Sequence, residues 1–262
     1  MAPLVVPGAW PPEAIVVAGV CARIAAAVVT GTLPILPGAS VVIRLALAFV
    51  LAVAAVPMAL AMQHAGSAPL IGPLLPVLAG EAFVGLAMGT AAAAVLAATA
   101  WAGGILGSVS GLSWADDFDP SSDSQSTGIA RLAWWVGLAA FFTAGGQLAV
   151  VAGLVDSIRH VPIGSAFAGP APDWLVTLAL TTPAVAFALA AMLAMPALVA
   201  VIAFHLASAI CLRTIPFAPG AGLLQGLAAV VLLASVWLGA EAWAGGSAAL
   251  MLQSLDTCFG GR

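Results

Sequence analysis

The chain has 262 residues, of which only 6 are Lys or Arg and 10 are Asp or Glu, while hydrophobic residues make up 63% of it. A soluble domain carries roughly 25% charged residues to cover its surface, so a charged fraction of 6% excludes a soluble globular enzyme, and the same apolar excess excludes disorder. At about 20 residues per membrane-spanning helix the length accommodates roughly six to eight spans, and the expected fold class is all-α, a polytopic helical membrane protein. Lys is absent, the net charge is -4, and no basic run is present for nucleic acid or acidic lipid. Cys21, Cys211 and Cys258 are far apart and form no C-x-x-C pair, so neither a disulfide framework nor a zinc site is expected. Met1–Pro12 has no basic stretch ahead of its apolar residues, and no cleaved signal peptide is expected.

Six apolar regions follow in order. The first, Ala14–Leu33, is closed by Pro34 and Pro37 and carries Arg23. One Arg at the centre of a span costs about 2.5 to 3.5 kcal/mol, nearly cancelling the contribution of the strong apolar residues around it. Arg23 therefore either snorkels to an interface or pairs with an acid such as Glu81 or Glu241 inside an assembly. The second region is Val41–Met62, with Arg44 near its start and Pro57 inside it. The third is Phe83–Leu106, with a short apolar lead-in at Leu70–Leu78. The fourth runs Leu132–Val155. The fifth, Trp174–Leu212, contains Pro183 and Pro196 and is long enough for two short spans or one long bent helix. The sixth is Leu223–Ala242.

Small residues recur four apart, as helix-packing stripes do: Gly85, Gly89, Ala93 and Ala97, then Gly103, Gly107 and Gly111, then Gly145, Ala149 and Gly153, and finally Gly222 with Gly226. In a helix such residues share one face, where backbones approach closely.

Between the third and fourth regions lies the polar insert Gly107–Gly128, with Asp116, Asp117, Asp119 and Asp123. Extended, 22 residues reach on the order of 70 Å, and a doubled-back loop about half that. Asp117, Asp119, Ser121 and Asp123 alternate like the first ligands of a calcium loop, but the sixth position is Ser122 rather than Gly and the twelfth is Gly128 rather than Glu. There is no G-x-S-x-G pattern around Ser108 and Ser110, and the scattered His64, His160 and His205 have no context that marks a base. The acids of the insert lie in a polar loop rather than within spans, which does not suit an intramembrane aspartyl protease. No enzyme activity and no cofactor is expected.

At this insert the chain resembles the FliR/SctT family of type III secretion export-gate proteins. The resemblance rests on Gly111-Leu-Ser-Trp-Ala-Asp-Asp-Phe-Asp-Pro120, on Gln125-Ser-Thr-Gly-Ile-Ala-Arg131-Leu, on Phe141-Phe142 and Gly145-Gly146-Gln-Leu148, and on Leu154-Val-Asp-Ser-Ile-Arg-His-Val-Pro-Ile-Gly164. Upstream, Glu81-Ala-Phe-Val-Gly-Leu-Ala-Met-Gly89 and the arginines Arg23 and Arg44 are also family-like.

The resemblance implies a non-catalytic subunit of an export gate in the bacterial inner membrane, multi-pass and part of the flagellar basal body. Its partners would be FliP/SctR-type and FliQ/SctS-type subunits, a FlhB/SctU-type switch protein and unfolded substrates. It implies kinked helical hairpins, with a P-like portion over residues 1–173 and a Q-like C-terminal hairpin over 174–262. Residues Gly111–Gly128 become a plug in the lumen, with Trp114 and Phe118 as apolar contacts, Asp119-Pro120 as the turn, and Gln125 in the matched motif. Asp116 and Asp117 stand where less charged residues are usual in relatives, which favours a hydrated plug over a dry seal. Val161-Pro-Ile-Gly164 favours a flagellar rather than a virulence system. A small-molecule secondary transporter is the competing class, but it calls for inverted repeats with matching broken helices, and no internal repeat is present.

Overall fold

The computed structural model describes residues 10–29, 40–64, 73–110, 116–119, 124–165, 173–214, 220–238 and 249. Within them lie the helices α1 (Pro12–Val29), α2 (Val41–His64), α3 (Leu74–Val109), α4 (Gly128–Thr143), α5 (Gly146–His160), α6 (Asp173–Thr214) and α7 (Ala221–Leu238). Between α3 and α4 sits a two-stranded antiparallel hairpin, β1 (Asp116–Asp119) and β2 (Ser124–Thr127). The fold is helical, as composition requires, with this one small departure in the polar insert. Among the described residues α1, α2, α3 and most of α6 are long and apolar enough to cross a membrane, and α4 with α5 makes a fifth span if the two count as one broken helix.

Local chemistry sets several of the boundaries. Pro12 occupies the first position of α1, where its missing N–H costs nothing, and the carbonyl of Pro11 accepts from the amides of Ala14 and Ile15. Ser40 precedes α2, and its carbonyl accepts from Arg44. Two of the expected regions change shape, and the fifth takes one of the two forms open to it. The lead-in Leu74–Leu78 is continuous with the third region, so α3 is a single helix of 36 residues, about 54 Å long at 1.5 Å per residue. The fourth region is divided: α4 ends at Thr143, and Gly145, at φ +76°, donates its amide to the Phe142 carbonyl before α5 begins. The fifth region is one helix of 42 residues with Pro183 and Pro196 inside it.

The chain forms two compact units. The first holds α1, α2, the N-terminal half of α3, α5 and the start of α6. Here α1 buries Val16, Val20, Arg23 and Ala27 on one face, and α2 presents a narrow stripe of Ala48, Ala52, Ala55 and Ala59. Those spacings follow the helical repeat, so Arg23 shares the buried face of its helix. The second unit holds the C-terminal half of α3, the hairpin, α4, the rest of α6, and α7. In it α6 buries Ala186, Leu189, Ala190, Leu193, Ala197 and Val201 along one stripe, while Phe187, Val199 and Ile210 are exposed.

Candidate functional site

Two features in the described residues carry polar chemistry inside an otherwise apolar chain: a buried charge cluster in the first unit and the acidic hairpin in the second.

The cluster is built from three helices and a turn. Arg23 of α1 and Glu81 of α3 are both fully buried and form an ion pair. Arg23 Nε and Nη2 both meet Glu81 Oε2, at 2.7 and 2.5 Å. Nη1 donates to Ser157 Oγ of α5 at 3.2 Å, and Nη2 also donates to the Val161 carbonyl at 2.9 Å. The other carboxylate oxygen, Glu81 Oε1, accepts the Gly164 amide at 3.0 Å. Ser157 in turn donates to the Leu154 carbonyl at 2.7 Å. All three guanidinium nitrogens and both carboxylate oxygens are thus engaged, which is the condition under which a buried ion pair is tolerated.

Glycine makes the approach of the elements possible. A Cβ at Gly85 would overlap the Arg23 carbonyl, so α1 and α3 meet backbone to backbone there. A Cβ at Gly19 would come within 2.6 Å of Ile163 Cγ2, so Gly19 leaves room for the turn after α5. Gly164 has φ +89°, a conformation that a side chain disfavours, and it is this residue that aims its amide at Glu81. The charge pair was legible as a possibility from two ionised residues in apolar regions. Ser157, the Val161 carbonyl and the Gly164 amide were not legible as its partners, because two of them are backbone atoms that no residue type announces. The only sequence signal for them was the Pro-Ile-Gly turn itself.

The hairpin pairs Asp116 with Thr127, Asp117 with Ser126, Phe118 with Gln125 and Asp119 with Ser124. Gly111, Trp114 and Pro120, named above for the insert, lie outside the described residues, as do Ser121 and Asp123 of the calcium-like pattern. Among the described residues no three His, Cys, Asp or Glu side chains gather at one point. The helices flanking the hairpin are closely packed. A Cβ at Gly103 of α3 would stand 2.6 to 2.8 Å from Ala133, Ala130 and the Ile129 carbonyl of α4, and Gly137 of α4 meets the side chain of Thr99.

Arg44 is half-buried in the first turn of α2, and Glu241 lies outside the described residues. Gly89 and Gly107 are buried in α3, and Gly153 is half-buried in α5. Gly145 belongs to no helical stripe, because it is the left-handed residue between α4 and α5. Gly222 and Gly226 are exposed on α7 with nothing within 4 Å of a Cβ. Each histidine ring lies against a backbone carbonyl, His64 on Leu60, His160 on Asp156 and His205 on Val109, and so must donate to it.

Apolar spans, a dry charge cluster binding three of the helices, and a polar hairpin inserted between two others define a multi-pass helical membrane protein. The chain belongs to family 1 of the bacterial export proteins, whose family model matches residues 14–253. No curated protein matches it by sequence. The family is one of protein-export components, and the chain is accordingly a component of a bacterial export apparatus in the inner membrane.

Proposed function

We propose that the protein is the R-type subunit of a type III export gate, passing unfolded substrates through a channel built with FliP-, FliQ- and FlhB-type partners. The observation that carries this reading is the family match over residues 14–253, which spans the insert and the helices on both sides of it. In this reading residues 1–173 are the P-like portion and 174–262 the Q-like hairpin. Helices α3 and α6 support it, because at 36 and 42 residues they exceed the roughly 20 needed to span a bilayer. Such lengths suit an assembly that extends beyond the plane of the membrane.

Residues 111–128 of the insert act as the plug. A two-stranded hairpin is marginally stable by itself in water, as an obstruction that an incoming chain displaces must be. Deleting residues 111–128 in the assembled gate should raise its conductance to ions or small molecules. An assembled gate of unchanged permeability would remove the plug from the mechanism. The flagellar system is favoured over virulence secretion by Val161-Pro-Ile-Gly164. Flagellar rod and hook genes beside the gene would support that choice, and needle-complex genes would reverse it.

A further inference from the structure

Two backbone groups of the turn after α5 are bonded by side chains from outside the turn. Within the turn, the Val161 amide donates to the Ser157 carbonyl, and both the amide and the hydroxyl of Ser165 donate to the Pro162 carbonyl. The Val161 carbonyl and the Gly164 amide are satisfied from outside, the first by Arg23 Nη2 and the second by Glu81 Oε1. One partner of the ion pair therefore holds one end of the turn and the other partner holds the other end. Ile163, buried between those two points, fits over Gly19 of α1.

We infer that the Arg23–Glu81 pair is a positioning device with two separable parts: opposite charge, which lets α1 and α3 pack together with both groups dry, and the planar fork of the guanidinium, which holds the turn 161–165 in place. The two parts have different chemical requirements. Neutralising Glu81 needs only a cation of the right reach. Bonding Glu81, Ser157 and Val161 in three directions at once needs a rigid, planar donor set. An ammonium group is a compact point charge on a flexible stem and cannot span those acceptors. The pair organises the first unit whether or not the hairpin obstructs a channel.

The test separates the parts with four chains expressed with their export partners. Cys21, Cys211 and Cys258 are replaced by Ser, and Val161→Cys, at a position 7% exposed, reports the turn. The amount of membrane-integrated protein is measured by immunoblot, and turn release by the rate of gel shift with a polyethylene-glycol maleimide. The parent chain should label slowly. Arg23→Lys should stay within about twofold of the parent in amount but label about tenfold faster. Glu81→Gln, which leaves Arg23 buried without a counter-charge, should fall in amount about tenfold. The double change Arg23→Leu with Glu81→Leu should recover most of that amount and label as fast as Arg23→Lys, because no buried charge remains and the turn has lost both ties. Ser165→Cys, half-buried at the other end of the turn, repeats the measurement should Val161→Cys itself disturb packing. Labelling of Arg23→Lys at the parental rate would overturn the inference. So would loss of Arg23→Lys, or of the double variant, to the same extent as Glu81→Gln.

Discussion

Arg23 sits on the face of α1 that carries Val16, Val20 and Ala27, so the helical repeat alone turns it inward once that face is buried. The cost of a charge there is met by Glu81, and the fit depends as much on the absence of atoms at Gly85 as on the ions themselves. Gly85→Ala places a methyl group on the Arg23 backbone carbonyl, which cannot swing aside as a side chain does. We expect it to destabilise the protein by about 1 to 3 kcal/mol, as overpacking does, read as a lower thermal midpoint of the detergent-solubilised assembly. Gly104→Ala is the matched control, because nothing lies within 4 Å of its Cβ and Ala is the better helix former by about 1 kcal/mol. An equal loss at both positions would show that the close approach of α1 and α3 is not what Gly85 provides. At this scale the sequence could name Arg23, Glu81 and the small residues around them. It could not join Arg23 to a carbonyl and Glu81 to an amide 83 positions along the chain, because backbone groups carry no sequence signature.

The elements show where periodicity stops being informative. The fourth apolar region reads as one stretch, yet Gly145 takes a left-handed conformation and divides it, while Pro183 and Pro196 leave α6 undivided. Pro removes a single ladder bond, which a helix of 42 residues with a packed stripe can bend around, whereas a left-handed residue ends the helix, and α4 and α5 meet there at a bend of 68°. The insert, read as a polar loop, contains a hairpin flanked by two helices that are locked together. Close contact at Gly103 and Gly137 fixes α3 against α4, and His205 of α6 donates to the carbonyl of Val109, the last residue of α3. Gly103→Leu should therefore separate the two helices at the foot of the hairpin and raise the conductance of the assembled gate, short of the effect of deleting residues 111–128. His205→Ala should act in the same direction but more weakly, since a single exposed hydrogen bond contributes about 1 kcal/mol. Unchanged conductance in both would mean that the hairpin is held by contacts other than those of its flanking helices.

The whole molecule leaves much of its apolar surface uncovered. Val42 and Phe49 on α2, Phe187 and Val199 on α6, and Trp237 and Leu238 on α7 are all exposed. Large apolar side chains exposed in such number are covered by lipid or by partner chains. Expressed alone and extracted in detergent, the protein should therefore be polydisperse on size exclusion, and co-expression with P- and Q-type partners should yield one sharp species. A monodisperse, transport-active single chain would instead favour the small-molecule transporter. The sequence by itself determined that the chain is a helical membrane protein. Sixteen charged residues among 262 cannot coat a soluble surface, and apolar runs of this length satisfy their backbone only as helices. It also carried the family, since a motif is a local pattern. Tertiary structure decided which charges meet, where the fourth region divides, and that one ion pair holds both ends of the turn after α5. Those outcomes depend on residues far apart in the chain reaching the same place in space, and a linear pattern holds no record of distance.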